Sequence, residues 1–443
     1  MLQMLHRDKL LLIFRYRQYA LFFTGYLISS IGNSMQLLTN SWLALVLTGS
    51  PSAVAYMFIA SALPGVALSP FIGVLIDRFD RRVIIMFTDT FRALILFALF
   101  LVGIHGQLQA WHLYVMAFLL SLGDVIYTPS AIALLREEIP QDILMYTHSY
   151  NGIARQVGGI AGAALAGILI VAYSPYIVLC VNGFSFLFSV VTVFSMRKGY
   201  RSPLELSKDE EPVRRLFMSD FLDGVKYIKS RSDVIILYSV ISVVLFTLNI
   251  INVAVAIFVK DVLKSTVSVL SYMEAAFAIG YVLGNIVITA MAASKGIIRT
   301  MTMGVWALVL ALVMLALSFN APMAVLSYFL VGATMPVWLL YLTSVQKIVP
   351  NHYQGRVSST FNTFLSVTSL VIFFGLSYLF KAVSVRTLYI LQVVLLIIPC
   401  IMVYKYIYNK KELEEVIEVQ EVPEVQESEM REAVEMQEVS INE

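Results

Sequence analysis

Twelve times along this chain an apolar run long enough to cross a bilayer alternates with a short polar break. A membrane-crossing helix needs about 20 mainly apolar residues, because its backbone polar groups must pair within the segment. The runs fall at 18–47, 51–76, 83–104, 110–135, 150–172 and 176–196. After a charged stretch six more follow, at 233–258, 268–292, 298–318, 322–345, 357–379 and 387–408. Composition agrees. The 443 residues are 59% hydrophobic and 14% charged, where a soluble domain has about 45–50% and about 25%. The expected fold class is an all-α polytopic membrane protein of twelve transmembrane helices in two six-helix pseudo-repeats.

The breaks divide the chain into a cytoplasmic N-terminal segment (1–17), a six-helix bundle (18–196), a charged central linker with a surface helix (197–232), a second bundle (233–408) and an acidic tail (409–443). The tail, ELEEVIEVQEVPEVQESEM and onward, has little to bury and is expected to be disordered or transiently helical. With the N-terminus placed inside, the cytoplasmic segments hold 25 Lys and Arg, the outer loops hold 4, and Arg92 and Arg155 lie within helices. That asymmetry puts both termini in the cytoplasm of a cell membrane, most simply a bacterial plasma membrane. The apolar run after Arg7, Lys9, Arg15 and Arg17 is too long for the core of a cleavable signal peptide. A net charge of +2, without a basic arm, argues against a nucleic-acid partner. Cys180 and Cys400 have no metal-ligand spacing and read as packing residues. No GxxxxGK[ST], HExxH or Cys/His cluster occurs, so neither ATP hydrolysis nor another enzymatic reaction is expected, and no cofactor.

Charge concentrates between the second and third runs. Asp77, Arg78, Asp80, Arg81 and Arg82 put five charges in six residues, whereas 18–76 contains none. The pattern Gly73-x-x-x-Asp77-Arg78-x-x-Arg81-Arg82 resembles the signature loop of the major facilitator superfamily. The stretches LISSIGNSMQLLTNSWLALVLTGSPSAVAYMFIASALPGVALSPFIGVLIDRFDRR and KDVLKSTVSVLSYMEAAFAIGYVLG are similar to its macrolide-efflux branch. The resemblance covers about residues 15–410 and departs at Asp80, where the superfamily pattern commonly has glycine. It implies alternating access, with two six-helix halves rocking about a gate at this loop. A faint duplication agrees: Ile139-Pro140 and Val349-Pro350 each precede an aromatic-Asn pair, Tyr150-Asn151 and Phe361-Asn362.

Ionisable groups at membrane depth cost at least about 2.5–3.5 kcal/mol each, so they mark partners, water or function. Asp89 and Arg92, at i and i+3, share a helix face and read as a brace at the gate end. Asp124, Glu274 and Arg155 are the candidates for proton or substrate coupling, Asp124 and Glu274 lacking an opposite charge nearby in sequence. Bland alternatives are hydrogen bonds across helix interfaces and, for Glu274, closeness to the outer surface. Asn33 and Gln36 on the first run, Asn249 and Asn252 on the seventh, and the aromatics Tyr127, Trp338 and Tyr341 are candidates to line a central cavity. The aromatics fit helix packing equally. In the fifth run Gly158, Gly162 and Ala166 form one small-residue row, and Gly159, Ala163 and Gly167 another, for close helix packing. The position resembles the superfamily's antiporter motif without its usual proline. Pro64, Pro70 and Pro129 are placed to kink the second and fourth helices.

The expected function is proton antiport of an amphiphilic, drug-like small molecule by a monomer in the lipid bilayer, the macrolide class being implied by the resemblance. Export or symport of another solute, such as a siderophore, lipid or metabolite, stays open, as does a sensor or scaffold acting through the acidic tail.

Overall fold

The computed structural model describes residues 14, 16–196 and 213–407, with side chains outside a few short stretches of that range. Six helices form the first half: α1 (Arg17–Thr48), α2 (Pro51–Arg78), α3 (Arg81–Ile104), α4 (Ala110–Glu138), α5 (Gln141–Ala172) and α6 (Pro175–Phe194). An amphipathic helix, α7 (Val213–Ser230), precedes the second half. That half comprises α8 (Ser232–Ile257), α9 (Val267–Lys295), α10 (Ile297–Ala316), α11 (Ala321–Thr334), α12 (Val337–Ile348), α13 (Asn351–Ala382) and α14 (Val385–Ile407).

Among the described residues ten segments, counting α11 and α12 as one, are individually long and apolar enough to cross a membrane. Polar residues such as Asn33, Gln36 and Asn40 dilute the hydropathy of α1, yet its 32 residues reach about 48 Å at about 1.5 Å each. The twelfth run is α14, apolar over Val385–Ile398. Several helices outlast the apolar runs that marked them. α5 begins at Gln141 and α13 at Asn351, each after a proline with nearly the same torsions (φ −56°, ψ 144° at Pro140; φ −57°, ψ 145° at Pro350). Both are 32 residues long. The halves therefore share a register, 210 positions apart, over these helices.

Two elements depart from a plain helix. α8 runs on through a wider π turn, Phe258–Val262, past the expected end at 258. The tenth crossing, expected as one helix over 322–345, breaks at Met335-Pro336, where proline lacks the N–H that would continue the ladder. α2 and α4 run unbroken through Pro64, Pro70 and Pro129.

The halves meet through α2 against α13 and α5 against α9. Their contacts gather at the end away from the α6–α8 linker, here the far end. Ser52 Oγ donates to the Ser377 carbonyl at 2.7 Å, Lys260 Nζ to the Leu45 carbonyl at 3.0 Å, and Phe58 lies 5.4 Å from Phe373. Buried residues of both halves, Leu43–Leu45 and Ala53–Ala55 with Ile251 and Val253–Val259, share one core there. At the linker end Tyr19, Phe22, Ile85 and Tyr127 of the first half form a separate core.

The two small-residue rows of α5 face different neighbours. A Cβ at Gly158 would stand 2.8 Å from the Ser30 carbonyl carbon, and one at Gly162 2.5 Å from the Ile31 oxygen, so this row seats α5 on α1. A Cβ at Gly167 would stand 2.5 Å from Ser271 Oγ, and one at Gly159 3.5 Å from the Ala278 Cβ, so the second row faces α9 in the other half.

Candidate substrate and coupling site

The first half carries a charge cluster in its middle. Arg92 of α3 is 2% exposed, and its Nη1 donates to Asp124 Oδ1 on α4 at 2.7 Å. Its Nη2 stands 3.5 Å from Asp89 Oδ1, one helical turn back, without a hydrogen bond. The guanidinium lies between the rings of Tyr127 (4.8 Å) and Phe186 (4.9 Å), whose faces attract a cation. Gly123 makes room for it, since a Cβ there would meet Arg92 Nε at 2.7 Å. One cation is thus shared by two unlike carboxylates: Asp89 is buried at 2% side-chain exposure, while Asp124 is 58% exposed.

That exposure faces a cavity of about 370 Å³ lined by Asp89, Arg92, Asp124, Tyr127, Arg155, Asn33 and the hydroxyl-bearing Tyr26, Ser29 and Ser30. Leu37 of α1 borders this space and two others. One extends past Asn33, Gln36 and Ser121. The other reaches the second half along Gly159 and Ala163 to Asn252 and Glu274. Glu274 of α9 stands beside the Tyr328 hydroxyl of α11. The buried Tyr389 hydroxyl of α14, near Glu274, has no hydrogen-bond partner among the described residues. The spaces around α1 thus carry ionisable side chains from both halves, with an arginine-paired acid on one wall and an acid beside two tyrosines on the other.

The charged loop is organised within its own half. Asp80 caps α3, its Oδ1 accepting from the Arg82 amide at 2.9 Å; its φ of −64° has no need of glycine, which accounts for the departure from the superfamily pattern. Arg81 pairs with Glu137 of α4 at 3.1 Å. Arg82 Nε donates to the Val193 carbonyl at 2.8 Å and its Nη2 to the Phe194 carbonyl, capping α6 where a helix presents partial negative charge. The loop therefore ties α3, α4 and α6 together. The side-chain positions at Gly73, Asp77 and Arg78 lie outside the described residues.

The sequence profile of the transmembrane secretion effector family matches residues 11–441. The chain belongs to that family, within the major facilitator superfamily. It is 26% identical over 360 residues to the Uncharacterized MFS-type transporter YfiS of Bacillus subtilis (strain 168), covering 79% of this chain and 83% of that protein. It is 23% identical over 353 residues to Macrolide efflux protein A of Streptococcus pyogenes, covering 76% and 84%. In fold it is similar to a bacterial homologue of the iron transporter ferroportin in an inward-facing state (TM-score 0.69, 14% identity, 88% of this chain and 98% of the other). It is likewise similar to the nucleoside transporter NupG (TM-score 0.67, 14% identity, 89% and 100%). The twelve crossings are those of a major facilitator transporter.

In this transporter the residues singled out by sequence sort into three places. Asn33, Asp89, Arg92, Asp124, Tyr127 and Arg155 share one cavity, so Asp89 and Arg92 stand with Asp124 rather than with Arg81 at the gate. Asn252 and Glu274 of the second half line the adjoining space, which shares Ser34 and Leu37 with that cavity. Gln36 borders the neighbouring space but is 4% exposed and accepts a hydrogen bond from Asn182. Three expected cavity residues are used otherwise. Asn249 donates to Ser369 at 2.8 Å, joining α8 to α13; Tyr341 is 1% exposed in the core of the second half; Trp338 packs on that core. Asn182 escaped the sequence reading, although an amide inside the apolar run PYIVLCVNGFSFLF was its signal. It is fully buried, and a Cβ at Gly32 of α1 would fall on its Oδ1. Lys260, counted only as a loop charge, holds the halves together at the far end.

Proposed function

We propose that this transporter exports cationic amphiphilic compounds, of the macrolide type, in exchange for protons. The observation that carries the reading is the placement of Arg92 between a buried Asp89 and a cavity-facing Asp124. A substrate ammonium in the cavity competes with Arg92 for Asp124, and a proton on Asp124 releases both. Binding of cargo and of proton at that carboxylate then exclude one another, the requirement for antiport. Asp89 keeps Arg92 neutralised while Asp124 is engaged, so the exchange leaves no unpaired cation at membrane depth. Glu274, beside Tyr328, is the corresponding acid of the second half. The macrolide class rests on the likeness to Macrolide efflux protein A.

The excess of Lys and Arg assigns the linker end and both termini to the cytoplasm of the plasma membrane. In that orientation the far-end contacts close the outer side, and the cavity belongs to an inward-facing state of a monomer. The charged loop is the cytoplasmic latch, formed in full when the halves rock together.

The test is macrolide uptake into everted vesicles, with and without an uncoupler. Extrusion indifferent to the uncoupler, or full drug-driven proton exchange in Asp124→Asn, sinks the antiport reading. Removing residues 412–443 separates a signalling scaffold from a transporter, since the transporter keeps most of its activity.

A further inference from the structure

The register that relates the halves exposes a place where they differ. Offset by 210, the α5 row Gly158, Gly162 and Ala166 corresponds to Thr368, Ile372 and Leu376 of α13. In the first half the glycines let α5 lie directly on the backbone of α1. In the second half bulk replaces them, and the α8 and α13 backbones stand farther apart, bridged by side chains such as Asn249 and Ser369. Where Tyr19 bonds Asn151 at 3.3 Å in the first half, Tyr238 and Phe361 stack ring on ring at 3.7 Å in the second. The gap is a groove of about 640 Å³ with Ile235 and Val243 on the α8 wall, Phe364 and Val367 on the α13 wall, and Phe221 and Val225 of α7 beneath.

We propose that this groove holds one acyl chain of an anionic phospholipid, its phosphate resting on Lys229. The groove is apolar and lies lengthwise along the crossing. From Ile235 to Val243 α8 advances about 12 Å at about 1.5 Å per residue, so the space accepts an extended chain parallel to its neighbours. Lys229 lines the mouth at the linker end. Arg231 pairs with Asp233 at 2.6 Å and Arg356 with Asp223 at 3.1 Å, whereas neither Lys229 nor Lys226, one turn back on α7, has an ion pair among the described residues, and of these two it is Lys229 that lines the groove. A hydrocarbon tail with a negative group at one end matches that arrangement, and the membrane supplies it. The cationic cargo proposed above is disfavoured by the sign of Lys229. Because α7 forms the floor and Asp223 anchors it to α13, lipid in the groove fastens the linker helix to the second half.

The full-length protein is placed in nanodiscs of phosphatidylcholine with graded phosphatidylglycerol, and retained phospholipid is counted by native mass spectrometry. Wild type retains phosphatidylglycerol at least tenfold over phosphatidylcholine. Lys229→Gln abolishes that preference. Ser239→Trp, which fills the groove from α8, loses lipid of either headgroup; if that variant misfolds, Thr363→Trp fills the same space from α13. Lys381→Gln, at the far end, changes nothing. Equal retention of the two lipids by wild type overturns the proposal, as does unchanged retention in both the Lys229 and the groove-filling variants. Displacement of the bound chain by a macrolide also overturns it, and gives the groove to the cargo.

Discussion

The two rows of α5 separate a residue that holds one half together from one that faces a moving partner, and alanine tells them apart. At Gly162 a Cβ would sit 2.5 Å from the Ile31 oxygen and 2.7 Å from Ser34 Cβ. Carbon pairs rest at about 3.5–4.0 Å, so α1 and α5 must part by roughly 1 Å. Overpacking of that kind costs about 1–3 kcal/mol, and the better helix propensity of alanine returns about 0.5–1 kcal/mol. Gly162→Ala is therefore expected to destabilise the protein by about 0.5–2 kcal/mol. At Gly159 a Cβ would meet, among the described residues, Ala278 Cβ at 3.5 Å, an ordinary contact. Gly159→Ala keeps the propensity gain and is expected to stabilise by about 0.5–1 kcal/mol. Gly167→Ala falls between: its Cβ meets Ser271 of the other half at 2.5–2.7 Å, a clash present only while the far end is shut. Its cost lands on one conformation, and about 1.4 kcal/mol there shifts the population tenfold. Thermal unfolding in detergent ranks the first two variants, and labelling of single cysteines at either end reads the third. Gly162→Ala as stable as wild type, or Gly159→Ala as damaging as Gly162→Ala, refutes the reasoning.

Gly123→Ala pushes a methyl against Arg92 and is expected to lower drug-driven proton exchange nearly as far as Asp124→Asn, at unchanged expression; normal exchange would show that the guanidinium position is immaterial. Lys260→Met removes the charged hydrogen bond to Leu45, worth about 1.5–3 kcal/mol, so cysteines at the far end should label roughly tenfold faster or more. Exchanging the partners Arg81 and Glu137 should retain more stability than Arg81→Glu alone, measured by a double-mutant cycle; a coupling near zero would remove that pair from the brace.

Much of this architecture was legible because it depends on one-dimensional signals. Apolar runs mark crossings, and the spacing of Gly158, Gly162 and Ala166 marks a packed face whichever helix covers it. What escaped depends on the register between helices. Asp124 looked solitary because its partner Arg92 is 32 positions away on another helix. Asp89, one turn from Arg92, looked like the natural partner and is the more distant one. Tyr341 and Asn249 have the right residue types for a cavity, but rotation of their helices sends one into a core and the other to Ser369. The break in the tenth crossing was available in Pro336 and was passed over, because hydropathy does not register a missing N–H.

That break distinguishes the two halves mechanically. The fourth crossing carries Pro129 inside a continuous helix. In the tenth, Met335 and Pro336 keep right-handed helical torsions, but the bonds that follow them tighten: the Trp338 N–H donates to the Met335 carbonyl at 3.3 Å and the Leu339 N–H to the Pro336 carbonyl at 2.9 Å, three residues back instead of four. Close backbone approaches at Gly280, Gly284 and Gly332 clamp α11 to α9, while α12 lies beyond the joint. The fourth crossing keeps one helical pitch from end to end; the tenth changes pitch for one turn at its middle, just where its grip on α9 ends.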